Sequence, residues 1–144
     1  MPHSVCTDAE GKVYVADREN HRVQIFDSEG NYLSQWNNLF RPCGLSISGN
    51  LAYIGQLCNQ NALTADFPNL GACVTIHDLA TGKQLARLGT SHTGEGEGEF
   101  TTPHGLAADS RGDLYVGEVS WSAYGRLLDP PRLARCFRKL VRKS

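Results

Sequence analysis

The chain has 144 residues, one domain's worth of material, and a formal net charge of −1. No run of about 18 or more apolar residues and no charged-then-apolar leader is visible, so the sequence displays neither a spanning helix nor a signal peptide and assigns no compartment. Its five cysteines, Cys6, Cys43, Cys58, Cys73 and Cys136, are odd in number and form no CxxC pair. A zinc knuckle or thioredoxin-type motif is therefore unsupported.

In chain order, the first unit predicts strands at Ser4–Thr7, Lys12–Ala16, Arg22–Phe26 and Tyr32–Trp36. Val13, Val15, Val23, Ile25 and Phe26 supply strand-forming bulk. Turn signals at Asp8–Gly11, Asp17–His21 and Asp27–Asn31 separate the strands, with Gly11 and Gly30 where a hairpin needs a positive φ. A second unit opens at Pro42 with Cys43-Gly44-Leu45-Ser46-Ile47 and continues through Leu51–Gly55. It then carries an insertion, 56–71, before strands at Ala72–His77 and Gln84–Leu88. Cys58 and Cys73 flank that insertion and can pair in an oxidising compartment. A glycine-rich linker, Gly94–Phe100, leads to the third unit at Pro103.

The third unit repeats the first. Aligned on the prolines, Pro2-His3 meets Pro103-His104, Asp8 meets Asp109, Gly11 meets Gly112, Tyr14 meets Tyr115, Val15 meets Val116 and Asp17 meets Glu118. The three starts lie 40 and 61 residues apart, and a period near 40 with short strands and Gly/Asp/Asn turns marks propeller blades. The expected architecture is all-β: a partial β-propeller of three four-stranded blades from a six-bladed ring, with blades at 2–40, 41–90 and 101–144. Closed propellers have about four to eight blades, so three leave two apolar blade faces uncovered. The expected partners are therefore missing blades, from an upstream segment or from a second copy of the chain. The abrupt start at Met1-Pro2-His3 favours the upstream segment.

Seven cations from Arg126 to Lys143 face Asp129 alone, leaving the remainder acidic. A basic end suits an anionic partner. Without an aromatic platform, the preferred reading is a solvated outer strand of the last blade, and nucleic acid is not expected as a ligand.

The first strand of each propeller blade lines the central channel. His3 and His104 stand at its start in alternate blades, which lie about 120° apart in a six-bladed ring. Three such histidines would converge as zinc ligands with a fourth position open. The other reading is that Pro-His is a structural turn whose imidazole bonds a nearby carbonyl; both stay open. Cys43 holds the same place in the middle blade, as an apolar liner or a ligand. Arg18, ending the second strand, should face the same end of the channel and could hold a carboxylate or an oxyanion. Its other reading is a surface pair with Glu19 or Asp17. His21, His77 and His92 are weaker candidates. Gly94–Gly98 lacks the Lys-Ser/Thr of a phosphate loop, and no GxSxG elbow occurs.

The run Val15-Ala16-Asp17-Arg18-Glu19-Asn20-His21-Arg22-Val23-Gln24-Ile25-Phe26 resembles the NHL repeat of six-bladed propellers. More narrowly, the chain resembles the C-terminal half of the catalytic domain of peptidyl-α-hydroxyglycine α-amidating lyases and their bacterial relatives. The resemblance implies His3 and His104 as zinc ligands and Arg18 as a catalytic residue. It implies a carbon–nitrogen lyase acting on a peptide substrate to give a peptide amide and glyoxylate. The family's remaining zinc histidine and active-site tyrosine belong to earlier blades, so the isolated chain is expected to be incomplete. Gly105 stands where the family has a calcium-binding aspartate, so calcium is not implied. NHL propellers also include non-catalytic scaffolds for protein–protein interaction, which is the alternative expectation. An RNA-binding surface is disfavoured by the acidic body.

Overall fold

The structure is a computed structural model that describes residues 1–58 and 70–143. Most of the expected insertion at 56–71 lies outside the described residues. The described residues form eleven strands: β1 Pro2–Thr7, β2 Val13–Asp17, β3 Arg22–Phe26, β4 Tyr32–Trp36, β5 Pro42–Ser48, β6 Leu51–Gln56, β7 Cys73–Asp78, β8 Gln84–Leu88, β9 Pro103–Ala108, β10 Leu114–Glu118 and β11 Phe137–Leu140. They form three antiparallel sheets in the orders β1-β2-β3-β4, β5-β6-β7-β8 and β9-β10-β11. Each is a blade in which consecutive strands are neighbours. The first two have the four strands expected. The third has three among the described residues.

The aligned positions make the same bonds. Asp8 accepts from the amides of Glu10 and Lys12, and Asp109 accepts from those of Arg111 and Asp113. Each aspartate also takes a phenol hydrogen bond, from Tyr14 at 3.0 Å and from Tyr115 at 3.2 Å. Gly11 and Gly112 close the two turns at φ 84° and 83°, where any side chain would be strained. Local chemistry thus fixes the first hairpin of the first and third blades, and with it the register of their inner strands.

Blades pack face to face. Tyr14, Val23 and Ile25 of the first blade meet Leu45 and Ile54 of the second. Tyr53 and Val74, on the opposite face of the second blade, meet Phe100, Leu114 and Val116 of the third. β6 is buried on both faces because its sheet is flanked on both sides, whereas β3 alternates buried and half-buried residues. The faces pointing away from the middle blade carry Val5 and Phe137, 64% and 59% exposed.

Trp36 at the end of β4 stacks on His77 of β7, with ring centroids 5.9 Å apart and planes 6° from parallel. A Cβ on Gly82 would lie 2.3 Å from the indole nitrogen, so that turn must be glycine. Between the second and third blades the approach is closer still. A Cβ on Gly44 would sit 2.7 Å from the His104 carbonyl oxygen, and one on Gly55 2.7 Å from that of Pro103. These two glycines let β5 and β6 lie directly against the start of β9.

The basic end largely fits the expected solvated outer strand: β11 is the edge of its sheet, and of the seven cations only Arg138 is buried. After β10 the chain makes a long excursion through a single 3-10 turn at Gly125–Leu127, then returns as β11 beside β10. Arg138 is buried against Glu118, Lys139 pairs with Asp113 at 2.8 Å, and Arg132 pairs with Glu95 at 2.5 Å. Three of the seven cations are thus paired with acidic groups of this same chain. No helix among the described residues is long and apolar enough to cross a membrane.

Candidate metal centre

The inner strands β1, β5 and β9 lie side by side, and each begins with an irregularity at the same place. Pro2 pairs with Asp17 and Ser4 with Ala16, leaving His3 without a partner in the ladder. Pro42 pairs with Gln56 and Gly44 with Gly55, leaving out Cys43. Pro103 pairs with Glu118 and Gly105 with Gly117, leaving out His104. All three are the extra residue of a β-bulge, a device that turns one side chain out of the normal alternation. Here it aims all three at one point.

Each bulge is held by a polar side chain that ends the blade's second strand. Gln56 Oε1 accepts from the Phe40 amide at 2.6 Å while its Nε2 donates to Thr75 Oγ1 at 2.9 Å. Glu118 accepts from the Thr101 and Thr102 amides, from the Thr101 hydroxyl, and from Arg138 Nε. Asp17 accepts from the Met1 nitrogen at 3.0 Å and from Arg22 Nε at 2.9 Å. In every blade the clamp ties the residues before the bulge to the third strand. The sequence alignment pairs Asp17 with Glu118, but neither this role nor its extension to Gln56 is visible without the register.

The result is a compact donor set. One ligand atom each from His3, Cys43 and His104 lies within 4.8 Å of the others. The two imidazoles meet edge to face with centroids 4.6 Å apart. His3 is half-buried, and its Nε2 is fully shielded without a hydrogen-bond partner. A shielded ring nitrogen with no partner needs an explanation, and an ion is one. Burial pushes the His3 pKa down, helped by the charges of Arg18 and His104, so the ring is held neutral and its nitrogens are available as donors. Burial pushes the Cys43 thiol up to about 11, with Arg18 opposing that shift. Two imidazoles and a thiol are a donor set that zinc accepts.

Arg18 stands beside this cluster, in a single 3-10 turn at Arg18–Asn20, with a side chain 16% exposed. Its Nε bonds Glu19 Oε1 at 2.7 Å, and Glu19 also holds Arg41 at 3.1 Å. Of the two neighbour pairs the sequence allowed, the one with Glu19 is the one that forms, while Asp17 is taken by Arg22 and Asn20. His3, His104 and Arg18 are therefore brought together. Cys43 completes the donor set with the two histidines, at a position the repeat marked but its residue type obscured. Gly105 offers no side chain, and a Cβ there would meet nothing within 4 Å.

The remaining histidines serve elsewhere. His21 is exposed, lies against Phe40 and accepts from the Arg41 amide at 3.2 Å. His77 is buried between the Gly82 carbonyl and the Thr75 hydroxyl, both at 3.0 Å, and His92 is exposed. Cys58 and Cys73 do not form the disulfide the sequence allowed; Cys73 is a buried thiol shifted by its burial to about 11.

Sheet order and the repeated inner-strand bulge define the class: consecutive blades of a β-propeller. Residues 1–26 match the NHL repeat, so the first blade is of that type. Over 129 residues, 83% of the chain, it is 32% identical to human NHL repeat-containing protein 3 and 51% identical to the mouse protein of that name. The chain spans about a third of the length of these two relatives, 33% in each case. A 34-residue stretch is 56% identical to Protein lin-41 of Caenorhabditis elegans, covering 24% of this chain and 3% of that one. Among solved structures, hydrazine synthase of Kuenenia stuttgartiensis superposes with a TM-score of 0.60 over 81% of this chain and 28% of its own. A protein of unknown function from Bacteroides caccae gives 0.61 over 81% and 38%. Both are 12% identical to this chain, a likeness of fold alone.

Proposed function

We propose that the chain supplies consecutive blades of an NHL-repeat propeller acting as an interaction scaffold, with zinc held on His3, Cys43 and His104 to fasten three blades at the hub. The observation that carries the scaffold reading is the Arg18–Glu19 pair at 2.7 Å. The cationic group nearest the cluster already bonds a carboxylate of its own turn, which a substrate carboxylate would have to displace. The human and mouse relatives are named for their repeats and for no reaction, which agrees. Zinc would add a bond between inner strands that otherwise meet through backbone approach and side-chain packing. Stoichiometric zinc in the purified protein, lost on His3→Ala with His104→Ala, is the expected result. Protein free of zinc after loading and dialysis would remove the metal from the proposal.

A second reading, the peptidyl-α-hydroxyglycine lyase, is favoured by the nearness of Arg18 to His3 and Cys43. Three protein ligands also leave zinc a fourth position, as catalytic sites do. In that reaction the substrate C–N bond breaks, the hydroxyl proton passes to the departing amide nitrogen, and glyoxylate is released. Zinc would supply Lewis acidity, and Arg18 would have to leave Glu19 to meet the substrate carboxylate. The partners in either case are further blades, from the longer protein or from a second copy, covering the faces at Val5 and Phe137. The discriminating experiment incubates zinc-loaded protein with a peptidyl-α-hydroxyglycine and measures glyoxylate. The scaffold reading predicts no release above buffer. Release that Arg18→Ala abolishes would establish the lyase instead.

A further inference from the structure

A relay of four hydrogen bonds crosses the middle blade, and only one direction of donation fits it. The Phe40 amide donates to Gln56 Oε1 at 2.6 Å, and Gln56 Nε2 donates to Thr75 Oγ1 at 2.9 Å. Thr75 Oγ1 lies 3.0 Å from His77 Nε2, and His77 Nδ1 lies 3.0 Å from the Gly82 carbonyl oxygen. One end, an amide N–H, can only donate; the other, a carbonyl, can only accept. The links between are fixed by those ends. Gln56 turns its oxygen to Phe40 and its nitrogen to Thr75. The Thr75 hydroxyl donates to Nε2, and the His77 ring is neutral with its proton on Nδ1. The relay runs from the segment before β5, which leads into the Cys43 bulge, to the outer turn of the blade, where Trp36 stacks on His77.

A proton on His77 Nε2 breaks this order. An N–H then faces the Thr75 hydroxyl, which already accepts from Gln56 and must turn its own hydrogen away. Thr75 is 1% exposed and Gln56 4%, so water does not supply a new acceptor there. The hydroxyl finds one if the Gln56 carboxamide flips and presents its oxygen. The flipped group then turns its nitrogen on the Phe40 N–H, and that bond is lost. Phe40 is only half-buried, so its amide can turn to water where the Thr75 hydroxyl cannot. Reversal of the relay therefore moves the loss to the end nearest solvent.

The surroundings of His77 leave this proton free to act. Among the described residues, the elements packed round the ring bring it neutral side chains: Trp36 from β4, Ala52 from β6 and Gln84 from β8. Tyr14 of β2 lies against Trp36. Of the charged residues next to it in the chain, Asp78 is bonded by Asn50 and Thr81, and Lys83 is exposed. Burial lowers the His77 pKa, with the Gly82 bond opposing, so protonation falls on the acid side of 6.5. The stacked indole face accommodates an imidazolium.

We propose that His77 is a proton-sensing residue of the middle blade: on taking up a proton it reverses the relay, flips the Gln56 carboxamide and frees the Phe40 amide, loosening the segment that leads into the Cys43 bulge. Any effect on zinc held by Cys43 rests on the metal reading above; the relay itself belongs to the zinc-free chain.

The test is amide hydrogen exchange followed by NMR on the labelled, zinc-free chain. His21 lies against Phe40 and is itself an imidazole, so every measurement is made in a His21→Asn background, a residue type suited to the φ of 56° there. At about pH 5 the Phe40 amide should exchange about fivefold faster with His77 present than with His77→Gln, as loss of one hydrogen bond implies, and at about pH 7 the two should match. Thr75→Val keeps the imidazole and cuts the relay. It should leave Phe40 exchange unresponsive to protonation of His77, which the ring signals follow. Equal Phe40 exchange with His77 and with His77→Gln, while the ring is protonated, would overturn the proposal. So would an acid response that survives Thr75→Val, or a ring that stays neutral over the whole range. Zinc is absent throughout, so failure here leaves the metal reading standing, and failure to bind zinc leaves this one.

Discussion

Glu118 shows what one side chain carries in this fold. It is 7% exposed and gathers two amides, a hydroxyl and a guanidinium, while Arg138 opposite is 9% exposed. Glu118→Ala leaves a buried arginine without its carboxylate and should cost about 3–5 kcal/mol, read from the denaturant midpoint. His77 makes a pH prediction. Burial holds its pKa below 6.5, and its two bonds suit a neutral ring that donates from Nδ1 to the Gly82 carbonyl and accepts at Nε2. As pH falls below 6.5 the unfolded chain takes up the proton first, so it binds more protons than the folded chain in that window. Stability is complete above 6.5 and declines below it until the folded ring also protonates. Comparing about pH 7.5 with about pH 5.5, His77→Gln should show a smaller loss of stability than the native chain. A residual loss is expected from His3, whose pKa is shifted the same way. An unchanged slope in the variant would contradict the assignment.

At the scale of the element, the inner strands position the cluster through backbone approach. Gly44→Ala places a methyl 2.7 Å from the His104 carbonyl and must push β9 away from β5. It should cost about 1–3 kcal/mol and, with every ligand still present, lower zinc affinity about tenfold or more. Gly105→Ala is the control, since a methyl there meets nothing within 4 Å, and its stability should stay within about 0.5 kcal/mol of native. Equal zinc affinity in both variants would mean that β9 does not place His104. Most strands were legible in the sequence because Asp-x-x-Gly turns punctuate them and β-branched residues fill them. Arg22–Phe26, Tyr32–Trp36 and Gln84–Leu88 fall where expected. The bulges were not legible: a bulge is a property of two paired strands, and neither strand alone reveals which residue is skipped. Cys43 was visible as a position but not as a donor, because a lone cysteine in a strand reads as a small apolar residue.

Across the whole molecule, the middle blade is the organising unit, buried on both faces, while the outer two each present one face with an exposed large apolar side chain, Val5 or Phe137. The proposed zinc would join the three blades at the hub and should stabilise the chain against unfolding by binding only the folded form. The account turns on one geometric statement, that the skipped residues of three inner strands converge as a single donor set. X-ray absorption of the zinc-loaded protein tests it most directly. The expected spectrum has two nitrogen ligands from imidazole at about 2.0–2.1 Å and one sulfur at about 2.3 Å per zinc, the sulfur shell vanishing in Cys43→Ser. Zinc bound without sulfur, or no zinc retained at one equivalent, would contradict it.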